Sequence, residues 1–202
     1  MTEKIEIGRL LRAGTTGFVI GCRVSQLDSP TFGGLVRVPL TDGYQIFGLI
    51  NDIHIDDDGI VRQLVTAENV DAAIIADNRV NRNVPVEISV LTVGYQQNGL
   101  IKHLLPPRPP LSLDLIYQVS PQELRNFTAI ARFGDFRHVL QAQDVPVSEL
   151  LAAHIEQANQ AHLEAGNLAW AEQAAQELIT LLRDDYATLM AVLSTLGDAL
   201  AD

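Results

Sequence analysis

The chain has one cysteine, Cys22, in 202 residues. No intrachain disulfide can form and a four-cysteine zinc site is excluded, which fits a reducing compartment. Long apolar runs are missing as well. The hydrophobic stretches are short and broken by charge, far from the roughly 20 residues that cross a bilayer. The opening MTEKIEIGRL also lacks the apolar core of a signal peptide. The expected location is the cytoplasm, with no membrane partner. Basic residues are scarce: Lys and Arg number 14 against 25 Asp and Glu, for a net charge of −11. Neutralising phosphates supplies most non-specific affinity for nucleic acid, so autonomous nucleic-acid binding is not expected.

Signatures of catalysis are lacking too. There is no GxxxxGK(S/T) loop, no GxSxG elbow and no HExxH pair. HIDDDG (54 to 59) sets His54, Asp56 and Asp58 at alternating positions before Gly59, like the start of a calcium loop. The twelfth position, which should carry a bidentate Glu, is Val65. An acidic Asp-Gly hairpin turn is the expectation there. Arg79 and Arg82 could meet a phosphate or a partner's carboxylate, but such arginines are more often solvated or paired with nearby acids. His154 and His162 lie eight residues apart, not the four that let two histidines grip one metal, and read as ordinary surface or interface histidines. The expectation is no catalytic residue, no metal and no cofactor, hence no enzyme.

What is present divides the chain in two. Up to residue 119 the charge is −3; from 120 onward it is −8. The first part reads as short strands rich in Val, Ile, Leu, Phe and Tyr: 5 to 14, 17 to 24, 34 to 40, 44 to 55, then VPVEISVLTVGY and GLIKHLLP. Turns at AGTTG, TDG and QQNG join them. Closure removes the exposed edges such strands would leave, so a small antiparallel barrel is predicted over 1–105. A helical insertion near 66–78 starts from Thr66 as N-cap. PPRPP (106 to 110) fixes φ and forbids helix, and 106–119 reads as a stiff seam after the barrel rather than a proline-rich ligand for a partner.

Residues 120–202 read as an acidic helical region, making the whole an α+β chain. Ser120, Pro121 and Glu123 spell a capped helix start, with a helix to Arg132, Gly134 as terminator and a further helical turn from Asp135. A hairpin follows: a helix over about 146 to 164, Gly166 as C-cap, Asn167 as N-cap, and a long helix from Leu168. Ala171, Ala175, Leu178, Leu182, Asp185, Leu189, Val192, Leu196 and Ala199 share one seam, with Asp185 its only misfit, near a break at RDDY. Packing on Val147, Leu151, Ile155 and Ala158 would bury this seam within the chain. The sharper expectation is that Leu178, Leu182, Leu189, Val192 and Leu196 also form a protein interface, for self-association or docking.

The run IGRLLRAGTTGFVIGCRV, then GLVRVPLTDGYQIFGLINDIHID, and the close LLPPRPPLSLDLIYQVSPQEL resemble the HAS-barrel. That is the small barrel at the N-terminus of HerA-type DNA-translocating ATPases and, more distantly, of ATP synthase catalytic subunits. The resemblance spans about residues 5 to 125. It implies a closed barrel that helps to organise a ring of ATPase subunits and their nuclease partner. Where that family continues into an ATPase core with Walker motifs, these residues continue into acidic helices, so hydrolysis carries over to no residue. The expected function is a non-enzymatic accessory or assembly protein. It docks onto a protein partner, a HerA-type ATPase or NurA-type nuclease, in bacterial DNA processing or defence. The alternative is a small-barrel ligand-binding protein or enzyme with an unrecognised site.

Overall fold

The computed structural model describes residues 5–23, 30–56, 59–81, 84–129 and 133–201. Strands β1 (Glu6–Ala13), β2 (Gly17–Cys22), β3 (Leu35–Pro39), β4 (Gln45–His54), β5 (Val86–Gln97), β6 (Leu100–Lys102) and β7 (Leu115–Gln118) form one antiparallel sheet. Six of them, in the order β2-β1-β7-β3-β4-β5, close into a barrel through β2–β5 pairing from Gly17 opposite Leu91 to Cys22 opposite Val86. β6 hangs on β5 outside the ring. Asn98 (φ 52) and Gly99 (φ 78) give that hairpin the two left-handed residues a tight turn needs.

The barrel's inside and one of its outer faces are both apolar, and the two-residue period of a strand explains how. Val36, Val38, Ile46, Ile50, Ile88 and Val90 fill the interior. Leu35, Phe47, Leu49 and Val93 point the other way and join a second core with the helices. Burial pushes the Cys22 thiol, inside the barrel, up to about 11, so it stays protonated.

The barrel reaches beyond residue 105. β7 follows the proline segment and pairs with both β1 and β3, so PPRPP is a loop within the barrel rather than a seam after it. The loop is tied to β1: Ser112 Oγ donates to Leu11 O, and Leu113 N donates to Leu10 O.

The insertion between β4 and β5 is two helices, α1 (Ile60–Thr66) and α2 (Ala72–Val80). Thr66 does not start a helix. It ends α1, its hydroxyl donating to Arg62 O or Gln63 O, and Asp71 caps α2 by accepting from Ala73 N. α3 (Pro121–Thr128) begins with the expected capping box between Ser120 and Glu123. It stops four residues short of Arg132, which lies outside the described residues, and Gly134 opens α4 (Gly134–Leu140) instead of ending α3.

α5 (Val147–Glu164) is the central helix, with Leu150, Leu151, Ile155 and Ala158 completely buried. Burial of each of the two leucines and of Ile155 contributes about 1.5–3 kcal/mol. Gly166 at φ 83 ends α5 as predicted, but the next helix starts from Ala169, not Asn167, whose N–H instead donates to His162 O. The long helix is two, α6 (Trp170–Leu181) and α7 (Tyr186–Ala199). The break falls at RDDY because Asp185 caps α7, accepting from Thr188 N at 3.1 Å and Thr188 Oγ1 at 2.7 Å. No described helix is long and apolar enough to cross a membrane.

Candidate functional site

Two features stand out where the barrel meets the helices, a buried ionisable cluster and an uncharged cleft beside it; a third, an apolar surface, is exposed on α1 and α2.

The cluster is built from distant segments. His103 follows β6, Asp135 sits in the first turn of α4, and His154 lies mid-α5; they are 8%, 1% and 0% exposed. His154 Nε2 donates to Asp135 Oδ2 at 3.2 Å. His103 Nε2 donates to Phe127 O at 3.1 Å, so in the neutral ring its Nδ1 bears no hydrogen and faces Asp135 Oδ1 at 3.6 Å without bonding it. Asp135 Oδ1 and His154 Nδ1 accordingly have no hydrogen-bond partner. Burial pushes the Asp135 carboxyl up. The hydrogen bond and electrostatic pull of His154, with a lesser pull from His103, outweigh this and hold it below the usual carboxylate range. Burial lowers His103, against the pull of Asp135.

Glycines let the segments close up. A Cβ on Gly134 would sit 2.7 Å from His103 Cβ, and one on Gly33 would sit 2.6 Å from Ala153 Cβ on α5. Gln157 of α5 completes that second joint by donating to Phe32 O at 3.0 Å. Being sealed from solvent, the Asp135–His154 pair can orient and lock; it presents no reactive atom to a ligand.

His162 is also buried, at 4%, stacked on Trp170 with ring centroids 4.7 Å apart and bonded to Thr128 Oγ1 at 2.9 Å. Both α5 histidines therefore correct the expectation of surface side chains: α5 is covered on several sides, by the barrel, α3, α4, α6 and α7. Their signal was legible in principle, since His154 lies on the turn of Leu150, Leu151 and Ile155, where a polar residue needs a partner. At another joint Arg37, 7% exposed, sets Nε 2.9 Å from Glu123 Oε1 as an ion pair and lies over the Tyr117 ring.

The cleft, of about 450 Å³, lies between the starts of β2, the middle of β4 and β5, and the end of α4 with the loop after it. Thr16, Asn51, Thr92, Leu105, His138 and Gln141 are among its walls, and no Asp, Glu, Lys or Arg lines it. His138 links it to the cluster by donating from Nε2 to His103 O at 3.2 Å. β4 slips register between Ile50 and Asp52, making Asn51 a bulge residue, and Asn51 Oδ1 is buried without a partner.

The structure places the expected interface residues inside the molecule. Leu178, Leu182, Val192 and Leu196 are 0%, 7%, 1% and 4% exposed and Leu189 is partly buried, all in the chain's own second core. A partner would have to displace that core to reach them. Apolar surface is open instead on α1 and α2, which bury no residue: Val65 is 79% exposed, Val80 55%, Ile74 49% and Ile75 44%. In the HIDDDG stretch, His54 Nε2 lies 3.0 Å from Asp56 Oδ1, while Asp58 lies outside the described residues. Arg79 lies in the last turn of α2, and Arg82 also lies outside the described residues. No group of three or more metal-ligating side chains occurs among the described residues.

Comparison with known protein families finds no family model that matches the chain, and comparison with curated proteins finds no match.

Proposed function

We propose that this chain is an assembly module that docks onto another protein through the α1–α2 excursion of its barrel. The observation that carries the reading is the exposure of Val65, Ile74, Ile75 and Val80 on two helices that bury nothing. Helices this short are marginal in water without a packed face, and a patch of aliphatic side chains on the surface marks an interaction site. The closed barrel and the resemblance over residues 5 to 125 favour a HerA-type translocating ATPase or a NurA-type nuclease as the partner. The net charge of −11 favours protein over DNA as what the chain touches.

The test is affinity capture of the tagged chain from its native cells at low and moderate salt, with mass spectrometry of what co-purifies. Stoichiometric recovery of a translocating ATPase or nuclease by the wild type, lost in Ile74→Lys/Ile75→Lys, supports the reading. Recovery of neither class, or equal recovery by the variant, sinks it.

A further inference from the structure

We propose that the cleft at the barrel–helix junction binds an uncharged segment of polypeptide and holds it by its backbone amides.

The first ground is Asn51. A carbonyl oxygen buried without a partner costs about 1–3 kcal/mol, and native structures keep few of them. The bulge that frees Asn51 from the ladder is a device for re-aiming a side chain. Asn51 lines the cleft, and its Oδ1, buried at that wall, has no hydrogen-bond partner. Thr92, in the same wall and 1% exposed, also has a buried hydroxyl without a partner.

The second ground is the chemistry of the lining. Asn51, Gln141 and Gln143 put three carboxamides in one cleft. Each carries a donor and an acceptor, the same pair a peptide group offers in reverse. Because His138 gives its Nε2–H to His103 O, the neutral ring keeps Nδ1 as a further acceptor. No formal charge in the lining meets a phosphate or carboxylate, and no Phe, Tyr or Trp stacks a base or a sugar. Leu91 and Val145 also line the cleft, and Leu105 stands 44% exposed at it, an apolar seat for an aliphatic side chain. The volume falls within the range of ligand clefts, about 300–1,000 Å³, and suits a short extended segment.

The assignment rests on the docking reading, since the segment would belong to the partner. The experiment needs no partner. The ¹⁵N-labelled full chain is titrated with N-acetyl-leucyl-glycinamide, a blocked uncharged dipeptide, and followed by NMR. The expected result is saturable shifts confined to the residues that line the cleft, among them Thr16, Leu91, Thr92, Leu105, His138 and Val145, and the side-chain amides of Asn51, Gln141 and Gln143. Asn51→Ala should weaken binding about tenfold, the equivalent of about 1.4 kcal/mol. Leu105→Ala, at an exposed position, should weaken it with the folded spectrum intact. Absence of saturable shifts means a cleft that holds only water and overturns the assignment. So does undiminished binding by Asn51→Ala with a native spectrum, or equal binding of cytidine or inorganic phosphate. Failure here leaves capture through α1 and α2 standing, and loss of that capture leaves the cleft titration unchanged.

Discussion

Asp135 Oδ2 stands 3.2 Å from His154 Nε2, and both side chains are 1% exposed. The pair joins α4 to α5, while His103, on the same carboxylate's other side, brings in the chain that leaves β6. Three elements that have no sequence contact are thus fixed on one buried acid. Removing it leaves two histidines buried beside a void. Asp135→Ala should destabilise the fold by about 3–5 kcal/mol, the cost of breaking a buried pair by deleting one partner. Asp135→Asn, which still accepts from His154, should cost less. Urea unfolding of the three proteins measures the order; equal midpoints would show that the contact holds nothing.

Acid should act on this molecule before the carboxylates titrate. Burial lowers His103, with Arg137 and His138 adding to it and Asp135 opposing. Burial, with Arg125 nearby, also lowers His162. A base whose folded value is depressed takes up its proton first in the unfolded chain, so stability is full above the ordinary value of 6.5 and falls as pH drops below it. Asp135 is depressed from its ordinary 3.8, so its contribution persists until the solution is far more acidic and cannot mask the histidine slope. The melting temperature should therefore decline as pH falls below about 6.5. His162→Phe keeps a ring against Trp170 but cannot titrate, and should flatten part of that decline. A wild-type profile level down to pH 5 would contradict this.

Local signals in the sequence were sufficient for part of the local structure, although Thr66, Gly134 and Asn167 do not cap or end the helices expected of them. Ser120 and Glu123 announced α3, and Gly166 announced the end of α5. Alternating aliphatics announced a barrel whose interior residues are those of one strand face. Even Asp185, the one residue out of place in the seam, was informative: an acid that interrupts an apolar stripe is a cap, and α7 begins there. The other failures were long-range. β7 is four residues lying after a proline run, and only its pairing with β1 and β3 makes it part of the barrel. His103 and His154 lie 51 positions apart with Asp135 between them, and nothing in any one segment points to the other two. The seam's period was right, but whether its apolar face meets a partner or α5 depends on packing, and it meets α5.

Gly33 tests how tightly the barrel is set on α5. Its φ is +77, and a Cβ there would lie 2.6 Å from Ala153 Cβ and 2.9 Å from His154 N. Gly99 has nearly the same φ, +78, with nothing within 4 Å. Alanine at Gly99 should cost only the backbone strain, about 1–2 kcal/mol. Alanine at Gly33 meets that strain and the backbone of α5 together, so its loss should be clearly larger. Paired thermal melts give the difference. Equal losses would mean that α5 yields at this joint without cost.

Leu196 and Ile75 distinguish the seam of the last two helices from the surface that α1 and α2 leave open. Leu196 is 4% exposed and packed in the second core, so Leu196→Ala should cost about 2–5 kcal/mol, as deletions of buried leucine do. Ile75 is 44% exposed on a helix that buries nothing, so Ile75→Lys should change stability by no more than about 0.5 kcal/mol. Urea unfolding followed by fluorescence of Trp170, the only tryptophan, reports both. Trp170 is 2% exposed and stacks on His162, so opening of the helical core changes its surroundings. The expected pattern places the stability of the fold in Leu178, Leu182, Val192 and Leu196 and leaves Ile74 and Ile75 free for contact. The reverse pattern, a neutral Leu196→Ala and an unfolding Ile75→Lys, would make α1 and α2 part of the core and remove the docking surface.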